Sequence, residues 1–186
     1  MIRTFIAVPP DEALRRRLED LSRDLRERFR GRDVRWTRPE KYHFTLVFLG
    51  DVDTDRVPRI RERVAAAAAS FAPFEYQVKL VCFFPDSRRP RVIAALPDNQ
   101  PAFEAWYKPL VSVLAEEGFE PERRRFNAHI TLARLRGRPR YGDLHELIED
   151  APGRADSLVM YQSREGEYVP LFALDCIVPS TPGRPE

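Results

Sequence analysis

Two four-residue stretches of this chain, His43-Phe44-Thr45-Leu46 and His129-Ile130-Thr131-Leu132, repeat one pattern of side chains. A histidine exchanges a proton near neutral pH and a threonine carries a hydroxyl, so each copy offers an acid or base beside a hydrogen-bond donor. Side chains alternate between the two faces of an extended strand. His43 and Thr45 therefore share one face while Phe44, Leu46 and Phe48 share the other; in the second copy His129 and Thr131 oppose Ile130 and Leu132. If the copies face each other across a cleft, two imidazoles flank whatever sits between them. With ordinary pKa values near 6.5, one ring can serve as neutral base and the other as protonated acid.

A single His-x-Thr in a strand is weak evidence, because Thr is a favoured strand residue. The duplication is what counts: two of the chain's three histidines fall in matched contexts. The third, His145, lies in the polar stretch Gly142-Asp143-Leu144-His145-Glu146-Leu147 and reads as a solvated helix position.

A phosphodiester held between two imidazoles needs no metal if one ring deprotonates the nucleophile and the other protonates the leaving oxygen. The threonine hydroxyls can donate to the non-bridging oxygens. A 2′,3′-cyclic ribose phosphate suits the arrangement, because its strained ring expels the alkoxide readily. Catalytic zinc takes three protein ligands, and neither histidine has a second His, Cys or carboxylate at ligand spacing, so no metal and no cofactor are expected. No Gly-rich phosphate loop occurs among the eight glycines, and no nucleophile elbow is present.

The elements that must position these residues follow from periodicity. Strands are expected over Thr4–Val8, His43–Leu49, Glu75–Phe84, Arg91–Leu96, Ala128–Leu135, Ser157–Gln162 and Val169–Ile177. Apolar stripes at helical spacing run through Leu14, Leu18, Leu21, Leu25 and Phe29, and through Val57, Ile60, Val64, Ala68 and Phe71. A third helix runs from about Pro101 to Leu114, ended by Gly118 and kinked or divided by Pro109. A short helix is expected around His145. The short links within Glu75–Leu96 and Ser157–Ile177 imply antiparallel pairing. The class is α+β, with two lobes that each carry one His-x-Thr strand in a small, mainly antiparallel sheet, helices outside and a cleft between the sheets.

The whole chain, 186 residues with a hydrophobic content of 43%, is expected to form one domain, with the tail Pro179–Glu186 frayed. No apolar run approaches the roughly 20 residues of a membrane span, and the first residues are too short an apolar segment for a secretory signal. A cytoplasmic protein is expected. Cys82 and Cys176 lie in apolar runs and read as small buried hydrophobes. A net charge of +2 is too small to mark a nucleic-acid binder by bulk electrostatics. Arginines nonetheless border the second motif: Arg123-Arg124-Arg125 before it and Arg134, Arg136, Arg138 and Arg140 after it. Their forked donors suit phosphate.

Paired His-x-Thr-Leu strands in a chain of this length resemble the 2H phosphoesterase superfamily, specifically the LigT-like bacterial RNA 2′,3′-cyclic phosphodiesterases. The likeness extends beyond the two tetrapeptides. It includes Arg3–Pro9, Trp36–Tyr42 before the first motif and Val47-Phe48-Leu49-Gly50 after it, Phe84-Pro85 with Pro90-Arg91-Val92, Gly118-Phe119, Arg125-Phe126, and the Tyr161-Gln162-Ser163 and Tyr168 hairpin. The resemblance implies two pseudo-symmetric lobes and hydrolysis of RNA 2′,3′-cyclic ends to 2′-phosphates. His43 would be the proton donor to the leaving 3′ oxygen and His129 the proton acceptor from water, with Thr45 and Thr131 gripping the phosphate and Arg134 matching the family's basic residue. The partners implied are RNA or an oligonucleotide with a 2′,3′-cyclic phosphate end and cyclic nucleotides, bound by a monomer away from membranes. Strict alternation puts Arg134 on the face opposite His129, so it reaches the phosphate only if the strand bends or ends there. A 2′-5′ RNA ligase using the same site, or a non-catalytic nucleotide- or RNA-binding module, are the alternatives; two matched proton carriers favour catalysis.

Overall fold

The computed structural model describes residues 1–120, 122, 124–136 and 143–176. Its strands are β1 (Ile2–Val8), β2 (Val34–Trp36), β3 (Phe44–Val52), β4 (Phe74–Phe84), β5 (Val92–Pro97), β6 (Ile130–Leu135), β7 (His145–Leu147), β8 (Pro152–Ala155), β9 (Ser157–Arg164) and β10 (Glu167–Asp175). The helices are α1 (Glu12–Arg28), α2 (Val57–Ala68) and α3 (Gln100–Glu116). The α+β class and the seven expected strands hold. The tail from residue 179, with Arg123, Arg138 and Arg140, lies outside the described residues.

The strands follow the order β10-β9-β1-β3-β6-β5-β4-β7, with β2 beside β6 and β8 beside β4, and every pair is antiparallel. The two histidine strands are thus neighbours at the centre. Their one recorded register pair is Phe44 with Ile130. The two lobes are therefore halves of one hydrogen-bonded path, joined at a single residue pair from which β3 and β6 diverge. The wedge left beside β6 is filled by β2, where Trp36 pairs with Ala133 and Arg35 with Arg134.

Helices cover one face of this path. Asp11 caps α1 through the Leu14 amide, and the buried stripe Leu14, Leu18, Leu25 turns inward. The ring of Phe29 meets Phe83 of β4, and Arg28 pairs with Glu146 of β7, so the helix that follows β1 lies against the other lobe. In exchange α3, which follows β5, packs Phe103 against Phe44 of β3. Pro109 lies inside α3 without dividing it. Phe103, Trp106, Leu110 and Leu114 are all buried on one stripe across it, and the carbonyl that Pro109 cannot bond belongs to Ala105, which is exposed to water.

Other expectations need correction. His145 lies in β7, not in a helix: its backbone pairs with Cys82 of β4, and that edge pairing overrides the weak local helical preference of a short polar stretch. Phe48 is 36% exposed instead of buried. Thr45 pairs with Ala7 and Val47 with Ile6, so Leu46 has no counterpart, and this bulge reverses the alternation beyond it. The two cysteines differ: Cys176 is buried, but Cys82 is half-buried on the face away from the helices.

Phe44 is fully buried between Tyr76 and Phe103, with ring centroids at 5.2 and 4.5 Å. Phe44→Ala should cost about 3–5 kcal/mol in urea unfolding, the usual range for emptying such a site. A loss below about 1 kcal/mol would show that the joint between the lobes is not a packed one.

Candidate active site

The joint between the lobes dictates the site. Residues opposite each other in an antiparallel pair share a face. Extending the Phe44–Ile130 register by one residue each way sets His43 opposite Thr131 and Thr45 opposite His129. Phe44 and Ile130 are both fully buried on the helix side, so these four polar side chains stand together on the open face.

Each imidazole is oriented by the backbone two residues earlier. His43 Nδ1 lies 2.7 Å from the Lys41 carbonyl and His129 Nδ1 lies 2.8 Å from the Asn127 carbonyl. A carbonyl only accepts, so Nδ1 donates in both rings, and in the neutral form Nε2 carries no proton and is the basic nitrogen. His43 Nε2 is 3.0 Å from Thr45 Oγ1, where the hydroxyl donates to it.

Aromatic rings wall the histidines. Phe5 stands 4.9 Å from His43, Tyr168 meets it edge-on at 5.2 Å, and Tyr161 lies at 6.4 Å. Phe84 stacks on His129 at 4.4 Å. The residues beside the threonines are Ala7 and Ala94, both fully buried, and their small side chains leave room for these rings. Burial is the main reason both imidazoles hold their protons weakly. The His43 pKa falls to about 4, with the His129 and Arg134 charges adding to the burial and the Lys41 carbonyl opposing it. The His129 pKa is also lowered, by burial and by Arg134.

Arg134 reaches this face because β6 repeats the bulge of β3. Ala94 pairs with Thr131 and Ile93 with Ala133, leaving Leu132 without a counterpart, so the alternation reverses and Arg134 emerges beside the histidines. The face that strict alternation predicts for Arg134, opposite His129, is thus corrected. Its register partner Arg35 brings a second guanidinium to the same face and lies beside Gly166.

The β9–β10 hairpin that supplies Tyr161 and Tyr168 is clasped to the segment before His43. Lys41 Nζ lies 3.0 Å from Glu167 Oε1 and also donates to the Gly166 carbonyl, and Arg38 pairs with Glu167. These two cations hold the Glu167 carboxyl below its ordinary pKa. Lys41 thus orients His43 through its carbonyl and anchors the aromatic wall through its side chain.

All five sequence-predicted residues, His43, Thr45, His129, Thr131 and Arg134, come to one face. Sequence reasoning missed Arg35 and the clasp. Arg35 is just one of many arginines, and an orienting carbonyl has no residue type to read. Among the described residues no group of three or more His, Cys, Asp or Glu is placed to hold a metal ion. An open cavity of about 690 Å³ lined by Asp11, Tyr76, Asp98 and Arg154 contains neither histidine. Its carboxylates are already engaged, Asp11 by the Leu14 and Arg154 amides, Asp98 by the Gln77 amide and Glu75 by the Arg154 guanidinium.

The model of the LigT like phosphoesterase family matches residues 8–94, which hold the first His-x-Thr copy, and again 95–165, which hold the second. The chain belongs to the LigT-like phosphoesterase family. It is 32% identical over 147 residues to a Methanothermobacter thermautotrophicus protein named RNA 2′,3′-cyclic phosphodiesterase, covering 79% of this chain and 78% of that one. A Thermotoga maritima protein of the same name is 31% identical over 149 residues, covering 80% and 77%. In fold the LigT-like chain resembles TT0787 of Thermus thermophilus, with TM-score 0.75, 23% identity and coverage of 94% and 98%. It also resembles apo E. coli LigT, with TM-score 0.71, 20% identity and coverage of 94% and 96%.

Tyr168→Ala should let water reach His43 and raise its pKa from about 4 towards 6.5, with much less change at His129. NMR titration of the ring protons checks this, and an unmoved His43 would show that Tyr168 does not dehydrate it. The sign carries into stability. Between about pH 4 and 6.5 the unfolded chain binds a proton that folded His43 refuses, so His43 adds stability above that window and loses it as the pH falls. The same variant should flatten this acid slope in urea unfolding.

Proposed function

We propose that this protein is an RNA 2′,3′-cyclic phosphodiesterase of the cytoplasm, a monomer whose two lobes form one domain and whose substrate is an RNA bearing a 2′,3′-cyclic phosphate end. The observation that carries the reading is the two-by-two array of His43, Thr131, Thr45 and His129 on one open face across the joint of the lobes. The names of the relatives agree with it.

In the free protein both rings are neutral and both present a bare Nε2, which is a site with two bases and no acid. An anionic phosphodiester corrects this. Its charge between the rings raises both pKa values, and one ring takes up a proton as the substrate enters. His43 is the proton donor and His129 the acceptor. Arg134 opposes protonation of both rings, and what distinguishes His43 is its enclosure by Phe5, Tyr161 and Tyr168, where an incoming anion meets little competing water. Water loses its proton to His129 Nε2 and attacks phosphorus; His43 delivers its proton to the departing 3′ oxygen, leaving a 2′-phosphate. Thr45, released from His43 Nε2, and Thr131 donate to the non-bridging oxygens, and Arg134 holds the phosphate charge. Every proton step has a protein group assigned to it, so no metal is required.

Incubation with a 2′,3′-cyclic mononucleotide in the presence of EDTA tests the proposal, with the 2′-phosphate as expected product. Recovery of a lost activity by added zinc or manganese would overturn the metal-free mechanism. His43→Ala and His129→Ala should each lower turnover by about two to four powers of ten, and their combination by much less than the sum, because the rings act as a unit. Additive losses would show that they do not share one reaction.

A further inference from the structure

The open face of the β6 lobe carries an apolar row that leads away from His129. Ile130 pairs with Ala95, so the next residue outward, Leu96, stands beside His129. Leu96 pairs with Leu80 of β4, and Leu80 with Leu147 of β7. His129, Leu96, Leu80 and Leu147 therefore form one line across four strands, about 14 Å long at ~4.8 Å per strand. Leu96 and Leu80 are half-buried and Leu147 is 80% exposed, although an open sheet face ordinarily carries polar side chains. Glu146, between His145 and Leu147, points the other way to Arg28 of α1, which confirms the face.

In the other lobe the apolar row, Phe48, Phe5 and Tyr161, lies further along the strands and walls His43 itself, so the line that leads outward from His43 is a different one. Continuing its register beyond Val8–Phe44 puts Pro9 beside His43, then Ser157, then its partner Asp175. Beyond Pro9 that line is polar and ends in an exposed carboxylate. Exposed cations stand in the segments next to the apolar row, together with Glu122, whose charge acts on His129. Arg124 and Arg125 are exposed in the segment leading to His129, and Lys79 is exposed where β4 bulges beside Leu80. Apolar surface flanked by cations suits single-stranded nucleic acid, whose bases need apolar contact and whose phosphates need positive charge.

We infer that the body of the RNA, upstream of the cyclic end, lies across the β6 lobe with its bases on Leu96, Leu80 and Leu147. This rests on the phosphodiesterase reading and adds the direction in which the substrate leaves the histidines. A cyclic mononucleotide is too short to reach Leu147, whereas an oligonucleotide covers it.

The test compares a 2′,3′-cyclic mononucleotide with a short oligoribonucleotide carrying the same cyclic end, on wild type, Leu147→Asp and, in the other lobe, Asp175→Leu. Leu147→Asp should raise KM for the oligonucleotide about three- to tenfold more than KM for the mononucleotide, with kcat following neither substrate selectively. Asp175→Leu should not discriminate between them. Equal effects of Leu147→Asp on both substrates, or a selective effect of Asp175→Leu alone, would overturn the inference. So would a change of oligomeric state in Leu147→Asp without substrate discrimination, which would make the row a contact between protein copies. Failure of wild type to hydrolyse either substrate would count against the phosphodiesterase reading. Binding of a 3′-phosphorylated oligoribonucleotide, followed by fluorescence anisotropy, would then still decide the row by comparing wild type with Leu147→Asp.

Discussion

Burial of Phe44 and Ile130 against each other is the constraint on which the site depends. Both side chains are fully excluded from water, and they form the one register pair between the two histidine strands. In an antiparallel pair whose central residues are committed to the core, the flanking residues have no choice of face. Two histidines and two threonines must then crowd onto the open side. The apolar residues of the motifs are thus not filler between functional groups. They convert two separate stretches of chain into one array by sending everything else to the other face.

Strict alternation carried through both strands would waste the positions beyond the motifs, since Phe48 and Arg134 would turn towards the helices. The bulges at Leu46 and Leu132 prevent this. Each adds one residue just after its threonine, keeps two consecutive apolar residues in the core, and returns the next residue to the groove. The device is the same in both lobes while the delivered side chain differs: an aromatic ring under the Arg3 guanidinium in one, and a guanidinium in the other. Equal backbones with unequal side chains are how a nearly two-fold scaffold becomes a directional site.

Much of this was legible in the residues because the strongest signals are periodic. The stripe Leu14, Leu18, Leu25 and the alternating β-branched runs each declare one element. The His-x-Thr-Leu copies declare a buried back and a chemical front at once. What escaped was non-local. Strands β2, β7 and β8 hold three or four residues each, and only pairing with β6 and β4 makes them strands. His145 therefore reads as helical until Cys82 is known to lie beside it. Bulges are invisible because Leu46 and Leu132 are ordinary core leucines; the register of the neighbouring strand alone shows the extra residue. The clasp was illegible for a related reason, since Lys41 and Glu167 lie 126 positions apart and a backbone acceptor can belong to any residue.

The resting site is chemically symmetric in one respect that matters: both rings donate from Nδ1 to a carbonyl and both keep a bare Nε2. Symmetry of this kind cannot assign an acid and a base, so the assignment has to come from surroundings. His43 is sealed by Phe5, Tyr161 and the clasped Tyr168, while His129 has Phe84 stacked on one side and Arg134 on its own strand. A sealed ring gains most from an incoming negative charge, because little water competes with the anion there. Arg134 lowers the pKa of both rings, so the enclosure and not the guanidinium sets them apart. On the proposed mechanism, low resting basicity at His43 is therefore compatible with a role as acid: the proton would be withheld until the phosphate arrives and would then stand next to the oxygen that needs it.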